Sequence, residues 1–223
     1  MKIVIQCCAT KYRAAGSFTS EGRRVKFVAD PKLYPPTSTD VGFRPDDRMP
    51  SSSMTWREHL LSYNRQGDNP DRLLQAGKLY RPPAYRKLDS IEAEDLYILS
   101  AGWGLVRSAF LLPDYDITYS GSAEPWKRRT KKADTKKEDF KDFSQLTQAC
   151  VGRDETVYFF GGKDYLPLYY RLMEGVVARK VIYFKSDKIP RDTAFDYIPY
   201  ECRGSTNWHY SCVTDFLANK IER

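Results

Sequence analysis

The chain has 223 residues, with 36 Lys and Arg against 29 Asp and Glu, a formal charge of +7 and a pI near 9.1. That length supports one sizeable core, and the surplus of cations favours an anionic partner such as nucleic acid without fixing a function. The five cysteines include no C-x-x-C pair, which argues against a disulfide scaffold or zinc ribbon and fits a reducing cytoplasm; no apolar run approaches a membrane span, and MKIVIQCCATKY is too briefly apolar for a secretory signal.

Taken in chain order, KIVIQC at 2–7 reads as a strand buried on both faces, because it is short, apolar and rich in β-branched residues. Residues 12–53 hold little periodicity and much Pro, Ser, Asp and Arg, so they read as a long irregular insertion. MTWREHLLSYN follows as a helix, opened by Thr55 and Glu58 at capping-box spacing. LYILSA at 96–101 is a second buried strand. Residues 124–139, EPWKRRTKKADTKKED, form a basic loop, and KEDFKDFSQLTQAC carries apolar residues at helical spacing. The third and fourth strands are TVYFFG at 156–161 and KVIYFK at 180–185, separated by the helical DYLPLYYRLMEGV; STNWHYSCVTDFLANKI supplies a last helix. Strands alternating with helices imply right-handed crossovers. The expected architecture is a single α/β domain over 1–223, three-layered, with a mostly parallel four-stranded sheet and helices on both faces.

Open α/β sheets bind ligands beyond the carboxyl ends of their strands. There the sequence offers CCATKYR, GWGLVR…PDYD, GGKDY and SDKIPR, in which small residues, cations, carboxylates and tyrosines recur. Gly161 and Gly162 allow close backbone approach, with Lys163 to meet a phosphate and Tyr165 to stack on a ring; an ordinary glycine turn is the plainer reading, and no full phosphate loop is present. Cys7 and Cys8 are read as packing residues, although a thiolate paired with His209 is conceivable. Lys11 stands close by. Seven Lys or Arg between 127 and 137 could track a phosphate backbone with Trp126 wedging or stacking, or form a solvated loop. Asp114 and Asp116 are either turn chemistry or carboxylates that orient water and stabilise positive charge on a sugar.

LYILSAGWGLVRSAFLLPDYDITY, preceded by AGKLYRPPAYRKL, resembles the YaaA peroxide-stress family and its small relatives, in which a strand ends in Ser-x-x-x-Gly-Leu before a Pro-Tyr-Asp-like element. Ser100, Gly104, Leu105, Pro113, Tyr115 and Asp116 occupy the matching places, with Asp114 inserted between proline and tyrosine. The likeness covers residues 77–119 and, more loosely, the first strand and FFGGKDYLPLYY. It implies a fold similar to the uracil-DNA glycosylase group and association with DNA, some members of the wider set resembling glycosylases that remove hypermodified bases from phage DNA. The expected function is therefore excision of a modified base from DNA, such as glucosylated hydroxymethylcytosine, without metal or cofactor. In that reading Asp116 or Asp114 positions water. Cys8, Lys11, Ser100, Gly102, Trp103, Gly104, Tyr115, Gly161, Gly162 and Tyr165 bind substrate, while Arg107, Trp126, Lys127, Arg128, Arg129, Lys131, Lys132 and Lys163 meet DNA. The rivals are a non-catalytic DNA-binding protein and a nucleoside deoxyribosyltransferase or nucleotide hydrolase.

Overall fold

The computed structural model describes the chain apart from residues 13, 36, 130–139, 147–150, 153, 186–187, 190, 204–206 and 223. In chain order the strands are β1 (Lys2–Gln6), β2 (Thr19–Ser20), β3 (Arg23–Val28), β4 (Asp40–Phe43), β5 (Leu74–Gln75), β6 (Leu96–Ser100), β7 (Gly104–Arg107), β8 (Leu111–Leu112), β9 (Tyr115–Asp116), β10 (Phe143–Ser144), β11 (Thr156–Phe160), β12 (Arg179–Phe184) and β13 (Asp196–Pro199). The helices are α1 (Trp56–Gln66), α2 (Pro83–Lys87), α3 (Leu166–Leu172) and α4 (Trp208–Leu217).

The central sheet has the order β10-β7-β6-β1-β11-β12-β13. β6, β1, β11, β12 and β13 run parallel, and the four predicted strands lie adjacent at its centre. Their apolar runs are continuous because both faces are covered: Ile3, Val4, Ile5, Ile98, Leu99, Phe159, Phe160 and Ile182 are all fully buried. Each such side chain contributes about 1.5 to 3 kcal/mol on leaving water. α4 packs on β11 and α2, and α3 on β7.

The sheet has seven strands rather than four. β7 turns back antiparallel onto β6, pairing Gly104 with Ser100, and β10 adds in parallel to β7. β10 also replaces part of the helix expected across KEDFKDFSQLTQAC. Phe143 and Ser144 pair with Gly104 and Leu105, and the Gln145 amide donates to the Leu105 carbonyl at 2.8 Å. The helical spacing instead records two burials: Leu146 is 0% exposed and Phe140 lies under the Arg129 guanidinium at 4.1 Å. Residues 137–139 and 147–150 of that stretch lie outside the described residues.

The insertion at 12–53 is also ordered. β2, β3 and β4 form a small sheet, and β9 pairs alongside β3. Its lack of a long period reflects short strands. Phe18, Val25, Phe27 and Val28 nevertheless join the buried set. α1 starts as its sequence predicts, the Thr55 side chain accepting from the Glu58 amide and Glu58 reaching back, and ends at Gly67 with φ 82°. Among the described residues no helix is long and apolar enough to cross a membrane.

Candidate functional site

Because β1, β11 and β12 lie side by side and parallel, the segments leaving their carboxyl ends share one edge. A cleft of about 1080 Å³ opens there. Cys7, Cys8 and Thr10 line it after β1, Gly161 to Tyr165 after β11, and Lys185 and Lys188 after β12; Thr118, Ser120 and Gly121 form one wall, and Asn207 to Tyr210 at the start of α4 another. Among the described lining residues Asp164 is the one carboxylate, set against Lys163, Lys185 and Lys188.

Backbone constraints explain the two glycines. A Cβ on Gly161 would stand 2.3 Å from the Phe159 ring, and the Gly162 amide donates to Gln6 Oε1 at 2.6 Å. These contacts hold the turn that presents Lys163 and Asp164 to the cleft. Tyr165 lies in the floor, 8% exposed, with its hydroxyl 3.2 Å from Cys7 Sγ and its ring edge-on to Tyr119 at 5.1 Å. Burial pushes its hydroxyl well above the ordinary tyrosine range, so it remains a protonated donor. Cys7 Sγ also accepts from the Ala101 amide at 3.4 Å. The Tyr115 hydroxyl is a further partner of this thiol, and His209 is not among these partners. Cys8 is half-buried in the lining and accepts from the Thr10 amide at 3.4 Å.

Much of the segment from Ser100 to Tyr115 is built into the core. Trp103 is 0% exposed, its ring 5.0 Å from Phe27, and it offers no face to a ligand. Gly102 is small because a Cβ would press on Ile117 Cδ1 at 3.0 Å. Gly104 has φ +91°, and its Cβ would meet the Phe143 carbonyl at 2.3 Å; it serves the β7–β10 pairing. Ser100 and Tyr115 are both 0% exposed. The Ser100 hydroxyl donates to Tyr115 at 2.9 Å and accepts from the Gly102 and Trp103 amides, while Tyr115 also meets the Tyr80 hydroxyl at 2.8 Å. Four residues assigned to substrate, Ser100, Gly102, Trp103 and Gly104, are therefore structural, and Tyr115 presents its ring to Lys11.

Lys11 Nζ lies 4.1 Å from the centre of that ring. Burial lowers its pKa, and the charges at Cys7, Asp116 and Asp114 oppose that shift. Asp114 receives Lys26 Nζ at 2.7 Å and Arg24 Nη2 at 3.0 Å; Asp116 shares Lys26 at 3.2 Å. Neither aspartate is among the described lining residues of the cleft. Asp114 in particular is occupied as an anchor, joining the turn before β9 to β3.

The residues assigned to DNA divide in the same way. Lys163 is exposed in the cleft. Arg107 is exposed, but the reversal at β7 pairs it with Tyr97 near the amino end of β6, away from the cleft. Arg129 is 4% exposed and cannot face DNA: it donates to the Ala101 carbonyl at 2.7 Å and to Asp142 at 3.0 and 2.5 Å. Trp126 is half-buried edge-on to Tyr34 at 5.0 Å, Lys127 lies 4.5 Å over its ring and pairs with Glu124, and Arg128 is exposed. Lys131, Lys132, Lys136 and Lys137 lie outside the described residues.

Sequence reasoning passed over Asp164 and, at the start of α4, Asn207, Trp208 and Tyr210, and weighed His209 only as a partner for a thiolate. Asp164 was visible inside GGKDY. Nothing local to STNWHYSCV tells that its helix opens onto the ends of β1 and β11. No protein-family model, curated protein or solved structure matches the chain.

Proposed function

We propose that this chain is a DNA glycosylase that excises a modified base, on a fold of the uracil-DNA-glycosylase kind. The observation that carries the reading is the cleft: about 1080 Å³, enough for a nucleotide with its flanking backbone, at the sheet edge where α/β proteins bind ligands. Half-buried Trp208 and Tyr210 offer ring surface for an extruded base, and Lys163 offers charge to a phosphate. The excess of 36 cations over 29 anions favours a polyanion.

Hydrolysis needs a water directed at C1′ and a carboxylate to take its proton while the C1′–N bond breaks and its electron pair leaves with the base. We assign that role to Asp164, the carboxylate among the described lining residues of the cleft. The base takes up a proton as it departs, so the products are free base and an abasic site.

The test is incubation with single- and double-stranded oligonucleotides carrying unmodified, hydroxymethylated and glucosylated cytosine, with released base read by mass spectrometry and abasic sites by alkaline cleavage. Release from one modified substrate supports the reading. Tight binding with no release from any of them indicates a DNA-binding protein, and turnover of free nucleosides alone indicates a small-molecule enzyme.

A further inference from the structure

Lys11 is half-buried, and its backbone is fixed by pairing with Tyr80. The Tyr12 amide donates to the Leu79 carbonyl and the Arg81 amide to the Thr10 carbonyl, each at 3.1 Å. Its Nζ lies 4.1 Å from the centre of the Tyr115 ring and makes no hydrogen bond or ion pair with a described residue. The carboxylates whose charge reaches it, Asp114 and Asp116, are both held by Lys26, at 2.7 and 3.2 Å, and Asp114 by Arg24 as well. Of two neighbouring lysines, Lys26 is thus committed to the β3–β9 junction. Lys11 is left over an aromatic face, which attracts an ammonium but occupies none of its donors.

Its place in the chain brings this amine to the cleft's border. Lys11 follows directly on Cys7, Cys8, Ala9 and Thr10, which line the cleft. Burial lowers the Lys11 pKa; Cys7, Asp116 and Asp114 act against that shift and Lys26 acts with it. A lysine in such surroundings holds more free amine near neutral pH than an exposed one, and the free amine is the form that attacks a carbonyl carbon.

We propose that Lys11 is a nucleophile for an aldehyde, and that its substrate is the ring-opened sugar of an abasic site, beside which it cleaves the strand. The assignment rests on the reading that this chain acts on DNA, since base excision is the reaction that leaves such an aldehyde. The amine adds to C1′, forming the C1′–N bond while a proton passes to the oxygen, and loss of water gives the imine. Protonation of the imine nitrogen acidifies the C2′ hydrogen. Solvent water takes that proton, the C–H electron pair becomes the C2′–C3′ double bond, and the C3′–O bond breaks with its pair leaving on the phosphate. Water then hydrolyses the imine and returns Lys11 as the free amine.

The test uses the full chain and Lys11→Arg with single- and double-stranded oligonucleotides carrying a preformed abasic site, with and without borohydride. Without it, the natural chain is expected to cut the strand, leaving a 5′-phosphate on one fragment and an unsaturated aldehyde on the other. With it, hydride reduces the imine to a stable secondary amine, and peptide mass spectrometry is expected to place the sugar on Lys11. Both products should be lost in Lys11→Arg, which keeps the positive charge without a nucleophilic amine. The peptide map is made on the natural chain, so it decides the matter even where the variant fails to fold. No adduct, an adduct on other lysines, or undiminished trapping by Lys11→Arg overturns the proposal. Base release from a modified substrate with no adduct overturns the lysine assignment and spares the glycosylase reading; an adduct at Lys11 with no base release from any substrate does the reverse.

Discussion

Arg129 and Asp142, thirteen residues apart, meet through two hydrogen bonds of 3.0 and 2.5 Å with both side chains 1% exposed. Burial raises the Asp142 pKa, while Arg129, Arg57 and Arg171 act to hold it ionised. Arg57 also grips Asp46 at 2.6 and 2.8 Å and donates to the Gly102 and Trp103 carbonyls at 3.0 and 3.2 Å. One buried carboxylate thus ties the start of the basic segment, α1 and the turn after β6 together. Asp142→Asn leaves buried guanidinium charge without its partner and should cost about 3 to 5 kcal/mol. The replacement is nearly isosteric, so a denaturant midpoint unchanged in Asp142→Asn would show that the network is not energetically important.

Gly104 should tolerate no side chain. Its φ of +91° is strained for any L-residue, and a Cβ would stand 2.3 Å from the Phe143 carbonyl. Gly104→Ala is expected to lose at least about 2 kcal/mol, with β10 detaching first. Hydrogen exchange at Phe143 and Gln145 reports that detachment directly; protection equal to that of the natural chain would contradict it.

The aspartates separate catalysis from architecture. Asp164→Asn removes the carboxylate of the described lining and should slow base release by about a hundredfold or more while the chain stays folded. Asp116→Asn, whose carboxylate pairs with Lys26 at 3.2 Å, should leave release little changed. Asp114→Asn frees Lys26 and Arg24 from bonds of 2.7 and 3.0 Å, and is expected to cost about 1 to 2 kcal/mol without altering chemistry. Loss of release in Asp116→Asn but not in Asp164→Asn would move the catalytic centre out of the cleft to the side of Lys11.

His209 makes stability depend on pH in a definite direction. Its folded pKa is lowered to about 4 from 6.5, so between those values the unfolded chain binds the extra proton. Stability is then full above pH 6.5 and falls as the pH drops toward 4, by roughly 3 kcal/mol in all. His209→Gln should flatten that part of the profile. A natural chain and variant with parallel stability profiles between pH 6.5 and 4 would show that the imidazole is not buried neutral.

The middle of the sheet and the start of α1 were legible along the chain. Short β-branched and aromatic runs such as KIVIQC and TVYFFG have one stable solution, burial on both faces, and Thr55 with Glu58 satisfies the helix start using neighbours in the chain. The sequence also pointed to the carboxyl edge, since Lys163 and the glycines before it follow directly from a strand end. The edge strands depended on partners: Phe143 and Ser144 become β10 only because Gly104 exposes the backbone they pair with. Which polar and aromatic residues reach the cleft was likewise decided in three dimensions. Trp103 and Trp208 look alike as aromatics beside small or polar residues, yet the reversal at Gly104 buries the first under Phe27 and the packing of α4 on β11 brings the second to the cleft. Asp116 and Asp164 are equally plausible on paper. Pairing of β9 with β3 sets the first beside Lys26, whereas the turn after β11 carries the second into the cleft, because side-chain destination follows strand pairing across the sheet rather than spacing along the chain.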